Sequence, residues 1–186
     1  MRKLKLQMQV SLDGFVAGPN NEMDWMTWNW DDKLKEYVQE ITEPIDTIIL
    51  GRVLAEGFIP VWKERSADPS ADRFTHKMVN DPKVVFTKTL AESPWENTTL
   101  ATGDLTEEIN KLKAQPGGDI VAYGGATFGA ALIKHNLIDE YHIFVNPVAI
   151  GKGKTIYGAL EANLPLKLVK ASPFECGITV LCYTPA

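Results

Sequence analysis

The chain has 186 residues, of which 45% are hydrophobic and 23% charged, with a formal net charge of −5. This composition describes a globular chain long enough to bury a substantial core, and one domain spanning residues 1–186 is the expectation. The acidic balance excludes an extended basic face for nucleic acid or an anionic membrane, so a phosphate-bearing partner must be captured locally. Without a secretory leader or a long apolar stretch, cytoplasmic residence is expected.

Leu4 to Val10 alternates as a strand does, and Asp13-Gly14 and Ala17-Gly18-Pro19-Asn20-Asn21 break it with turn chemistry. Asp31 or Asp32 is placed to cap a helix to about Thr42, with Leu34, Tyr37, Val38 and Ile41 on one face. Asp46 to Leu50 is a short apolar run of the kind found in a parallel strand covered on both faces, and it stops at Gly51. Glu64 to Asp81 is polar, with a short helix predicted from Ala71 to Val79. Val84 to Thr87 and Ile120 to Tyr123 are two further buried runs. Such runs joined by crossovers predict a mixed α/β sheet whose ligands sit at the carboxyl ends of the strands. A helix from about Ala126 to His135 follows. Glu140 to Val145, Lys167 to Ser172 and Gly177 to Tyr183 then read as strands, the last two as an antiparallel pair.

The run from Asp119 to Phe128 carries the strongest chemical signal. A strand breaks at Gly124-Gly125 and turns directly into a helix, whose first N–H groups are unpaired and lie at the positive end of its dipole. Glycines let a phosphate approach those donors, although the same pair also serves a tight turn without a ligand. Cys176 and Cys182 lack a Cys-x-x-Cys spacing and there is no histidine cluster, so buried free thiols and no metal site are expected. His76, His135 and His142 read as structural.

Five fragments in order resemble one family: Ser11-Leu12-Asp13-Gly14, Ile49-Leu50-Gly51-Arg52, Val84 to Leu90, Tyr123-Gly124-Gly125-Ala126, and Asp139-Glu140-Tyr141 through Pro147 to Gly153. Together they resemble the dihydrofolate reductase superfamily, and more closely its branch related to the reductase domain of bifunctional riboflavin-biosynthesis deaminase-reductases. The resemblance implies an α/β, three-layer fold with a central, mainly parallel sheet, antiparallel C-terminal strands and helices on both faces. It also implies NADPH as cofactor, a small-molecule substrate that accepts hydride, and a homodimer.

The resemblance assigns roles residue by residue. Gly124 and Gly125, with the N–H groups of Ala126, Thr127 and Phe128, would hold the pyrophosphate, and the glycine pair would share the family's cis peptide. Arg52, after Gly51, would approach the 2′-phosphate, with Thr87 and Lys88 at the adenosine end. Val10 and Ala17 would line the cofactor from the first strand and the loop after it. Val53-Leu54 lacks the hydroxyl that the family often places two residues after the arginine, which implies either lower cofactor affinity or compensation by Thr127. Asp13 and Asp32 are the candidate catalytic acids, with Asp31 equally eligible at the helix start, where a simple cap is the alternative. Asp24, Trp25 and Tyr123 would face the substrate. Trp25, Trp28 and Trp30 would either stack on a planar ring or plug the core. The stretch Asn80-Asp81-Pro82-Lys83 lacks the arginine that clamps the glutamate tail in true dihydrofolate reductases. A reductase of a heterocyclic, pteridine- or pyrimidine-like substrate is therefore expected; the alternative is a nucleotide-binding module without turnover.

Overall fold

A computed structural model describes all residues, 1–186. In chain order its elements are β1 (Leu4–Val10), α1 (Asp32–Thr42), β2 (Ile45–Gly51), α2 (Arg52–Ser66), α3 (Arg73–Asn80), β3 (Lys83–Phe86), β4 (Thr98–Ala101), α4 (Leu105–Ala114), β5 (Asp119–Ala122), α5 (Ala126–Lys134), β6 (Glu140–Val145), β7 (Leu166–Pro173) and β8 (Thr179–Pro185). The strands form one eight-stranded sheet in the order β4-β3-β2-β5-β1-β6-β8-β7. Strands β1 to β6 pair in parallel, whereas β8 runs antiparallel to both β6 and β7. The mainly parallel sheet with an antiparallel C-terminal part matches the fold expected from the sequence.

Helices cover both faces, and the side-chain alternation of β1 decides which residues meet which layer. Leu4, Leu6, Met8 and Val10 are buried against Ile109 of α4 and Leu132 and Ile133 of α5. On the opposite face the apolar packing divides in two. Ala55 of α2 and Met78 of α3 pack with Ile48, Leu50, Val85 and Val121. Leu34, Tyr37 and Val38 of α1 pack with Phe144, Ile178 and Val180. Between these clusters runs the polar side of β1, with Lys5, Gln7 and Gln9 in register with Glu140, His142 and Phe144 of β6.

Local chemistry fixes the element ends. Asp31 caps α1 by accepting from Leu34 N at 2.9 Å, and its other oxygen accepts from Cys176 N at 2.9 Å, tying the helix start to the β7–β8 connection. Those backbone N–H groups, Cys176 first, hold the Asp31 carboxyl below its ordinary value. Asp104 caps α4 through Thr106 N and Glu107 N.

Three elements lie outside the sequence expectations: α2, β4 and α4. Gly57 and Pro60 interrupt the apolar pattern of α2, yet Ala55, Phe58 and Trp62 keep one face on the core. Strand β4 has only four residues at the sheet edge. The signal for α4 was present in Leu105, Ile109 and Leu112 behind the Asp104 cap.

Leu6 is fully buried at the sheet centre, whereas Val169 on β7 is 59% exposed. Leu6→Ala is expected to lower unfolding stability by about 2–5 kcal/mol and Val169→Ala by less than about 0.5 kcal/mol. Urea unfolding monitored by circular dichroism checks the contrast.

Candidate active site

Two helices begin at neighbouring strand ends. β2 and β5 are paired; β2 runs into α2 at Gly51, and β5 runs into α5 through Gly124-Gly125. Gly51 and Gly125 occupy the N-cap positions, so neither helix has a side-chain cap. Thr127 N–H and Phe128 N–H find no partner within the chain. The start of α5 therefore presents unpaired donors at the positive end of its dipole.

The glycines keep this junction tight on one side and open on the other. Gly124 has φ +101°, and a Cβ there would lie 2.7 Å from Met8 Cε. A Cβ at Gly51 would lie 2.9 Å from Phe128 Cβ, and Gly51 N donates to Gly124 O at 3.3 Å. At Gly125 a Cβ would meet nothing within 4 Å. The result is open space at Gly125 beside unpaired N–H groups, where a phosphate or pyrophosphate group can approach. The Gly124–Gly125 peptide is cis.

The expected adenosine side is less open. Arg52 is the first residue of α2, and its guanidinium pairs with Glu56 one turn along. Thr87 Oγ1 accepts from Thr89 N at 3.1 Å and Leu90 N at 3.2 Å, so its hydroxyl shapes the turn after β3. Lys88 Nζ donates to Thr102 O at 2.8 Å and Gly103 O at 2.6 Å, latching the turn to the loop after β4, and the residue stays exposed. Val10 and Ala17 are buried; Val10 O accepts from Asn146 N at 2.8 Å, and Ala17 forms an antiparallel bridge with Lys154.

Neither candidate acid presents a free carboxyl to a cleft. Asp32 is fully exposed and pairs with Lys35 at 3.2 Å, and the cap that sequence placed at Asp31 or Asp32 belongs to Asp31. Asp13 accepts from Ser11 Oγ at 2.6 Å, Gly151 N at 2.7 Å and Ile150 N at 3.2 Å. These bonds, Ser11 foremost, hold its carboxyl below the ordinary value despite some desolvation. Asp13 is a tether between the loops after β1 and β6, and a poor proton donor. Asp24 is exposed, and Trp25 Nε1 donates to Glu22 O at 3.2 Å within its own loop. Tyr123 stacks on Phe58 at 5.5 Å, and its hydroxyl is buried without a partner, which raises its pKa. That hydroxyl points into the protein and not toward solvent.

The tryptophans beyond Trp25 form a ladder. Trp30 stacks on Phe144 at 6.3 Å, Trp28 stacks on Trp30 at 6.0 Å, and the Arg65 guanidinium lies over both Trp28 (5.7 Å) and Trp62 (5.0 Å). This joins the loop before α1 to the end of α2 through stacking and cation–π attraction. Asn146 anchors the same loop from below. Fully buried, it accepts from Thr27 N at 3.0 Å and donates to Gln9 Oε1 at 2.8 Å. Sequence reasoning missed Asn146 and Arg65. A polar residue closing the apolar run Tyr141 to Val145 was the available signal for Asn146; nothing local marks Arg65.

Fold and site together define an α/β protein of dihydrofolate reductase-like, reductase-type architecture. The chain belongs to the RibD C-terminal domain family, whose model matches residues 2–180. It is 33% identical to the Bacillus subtilis (strain 168) protein YyaP, whose function is uncharacterised, over 98% of this chain and 94% of that one. Among solved structures it resembles a Thermotoga maritima diaminohydroxyphosphoribosylaminopyrimidine deaminase/5-amino-6-(5-phosphoribosylamino)uracil reductase, with TM-score 0.70 and 19% identity. That likeness covers 100% of this chain and 57% of the other. It also resembles an Enterococcus faecalis dihydrofolate reductase with TM-score 0.64 and 17% identity, covering 98% and 96% of the two chains.

Asn146→Ala leaves Gln9 Oε1 and Thr27 N without their partner and is expected to cost about 1–3 kcal/mol. Hydrogen exchange should also speed up in the 23–30 loop. For Asp13 the folded pKa is depressed, so its contribution is present above the unfolded value of 3.8 and is lost as pH falls through the lower folded value. Exchange of Gly151 N–H, compared between wild type and Asp13→Ala, should differ at neutral pH and converge in acid.

Proposed function

We propose that this chain is an NADPH-dependent reductase that passes hydride to a small heterocyclic substrate of pteridine or pyrimidine type. The observation that carries the reading is the open space at Gly125 beside the unpaired N–H groups of Thr127 and Phe128, next to the uncapped start of α2. Support also comes from the E. faecalis enzyme, described in complex with NADP(H), and from the T. maritima protein, described as a 5-amino-6-(5-phosphoribosylamino)uracil reductase as well as a deaminase.

When bound, NADPH would supply the hydride. The N–H groups at the start of α5 would hold the pyrophosphate, and Arg52 would exchange Glu56 for the 2′-phosphate. A guanidinium fork matches phosphate oxygens, and the exposed pair with Glu56 is a weak competitor. Trp28, exposed at the end of its stack on Trp30, suits contact with a planar ring. With Asp13 tethered and Asp32 turned to solvent, the proton would come from water or from the unpaired Asp24 carboxyl. The reading includes a homodimer, for which edge strand β7 exposes Leu168 and Val169.

A second reading, a nucleotide-binding module without turnover, is favoured by the state of the two candidate acids, Asp13 held by three hydrogen bonds and Asp32 turned to solvent. Fluorescence titration with NADPH and NADH, followed by NADPH oxidation assays with pteridines and pyrimidine nucleotides, separates the two. The expected results are tighter binding of NADPH, an about tenfold loss of that affinity in Arg52→Ala, and oxidation with one substrate class. Binding of neither nucleotide would overturn both readings, and a stable complex without oxidation would select the second.

A further inference from the structure

The polar side of β1 meets a group of side chains at the other end of β6 from the candidate active site. Glu140 and His142 lie two residues apart on one face of β6, and Cys182 of β8 is the antiparallel register partner of His142. Their ligand atoms, one carboxylate oxygen, one imidazole nitrogen and one sulfur, all lie within 4.8 Å of one another. His142 and Cys182 are buried, while the Glu140 side chain is 18% exposed and opens the group to solvent.

We propose that Glu140, His142 and Cys182 form a zinc site with three protein ligands. A carboxylate, an imidazole and a thiolate are ligands that Zn²⁺ takes, and three of them leave a fourth tetrahedral position open. At metal–ligand bonds of about 2.0–2.3 Å, neighbouring ligand atoms stand farther apart than the 2.6 Å now separating His142 Nε2 from Glu140 Oε1. They also stand closer than the 4.8 Å limit of the group, so small side-chain rotations suffice.

A second feature points to the same place. Gln7 is the register partner of His142 on the other side of β6, so the two side chains stand together on one face. Gln7 is 7% exposed, and its Oε1 is buried without a hydrogen-bond partner. A buried carbonyl oxygen without a donor is costly; a metal-bound water in the open position would supply one.

The surroundings accommodate the charge. The cation brings two positive charges, the Glu140 carboxylate and the Cys182 thiolate bring two negative ones, and His142 binds neutral. Binding forms the Zn–S bond and releases the thiol proton to solvent. His142 binds through Nε2 and keeps its proton on Nδ1, which lies 3.4 Å from Tyr37 Oη. The nearby lysines have other partners or reach solvent: Lys5 pairs with Asp119 at 3.0 Å, Lys170 lies over the Tyr37 ring, and Lys3, 61% exposed, approaches Glu140 only to 3.7 Å.

The test uses the purified full chain with Co²⁺ as spectroscopic probe and Zn²⁺ in competition against a chromophoric chelator. The expected result is a thiolate-to-cobalt charge-transfer band that Zn²⁺ abolishes, absent in Cys182→Ser and kept in Cys176→Ser. Because Cys182 is buried and its variant could fail to fold, Glu140→Gln provides an independent arm. It should keep the band and weaken Zn²⁺ binding by more than about tenfold. No band, a band that depends on Cys176, or unchanged Zn²⁺ affinity in Glu140→Gln would overturn the proposal.

Discussion

A strand at the centre of a sheet with one polar face must pair every polar group on it, because a buried group without a partner costs more than the bond would contribute. β1 is such a strand. Its apolar face closes the layer under α4 and α5, and its other face holds Lys5, Gln7 and Gln9, followed by Ser11 just beyond the strand. Each pairing organises a region: Lys5 with Asp119 at the start of β5, Gln9 with Asn146 under the tryptophan loop, and Ser11 with Asp13 in the tether to Gly151. Gln7 is the member left over, and it lies beside His142.

The same strand shapes the glycine turn before α5 through sterics. Met8, on the apolar face, fills the space that a side chain at Gly124 would need, and Phe128 does the same at Gly51. Two strand-to-helix turns are thereby pressed together at adjacent strand ends, with open space left beside the uncapped start of α5. Packing inside the sheet thus produces the polarity outside it.

Much of the fold was legible because apolar periodicity and turn residues agree. β1, β2, β3, β5 and β6 are short buried runs bounded by Gly, Pro or Asp, and α1 and α5 carry one apolar face each. α2 was hidden because Gly57 and Pro60 sit on its exposed side, where they break the pattern without breaking the helix. The glycine turns were legible because backbone conformation decides them, at Gly51, Gly124 and Gly125. The intrachain partners of ionic side chains were not legible, because they come from loops distant in sequence. Lys88 meets the carbonyls of Thr102 and Gly103, and Asp13 the N–H groups of Ile150 and Gly151. Glu140, His142 and Cys182 were invisible as a group because strand pairing across 40 residues of sequence brings them together, with no local spacing to betray it.

The proposed reductase activity requires that the pyrophosphate bind at the start of α5, beside Gly125. Amide chemical shifts of ¹⁵N-labelled protein during NADPH titration test this residue by residue. The largest saturable changes are expected at Gly125, Thr127 and Phe128, with a second set at Arg52 and Val53. Changes confined to other surfaces, with the α5 start unmoved, would contradict it.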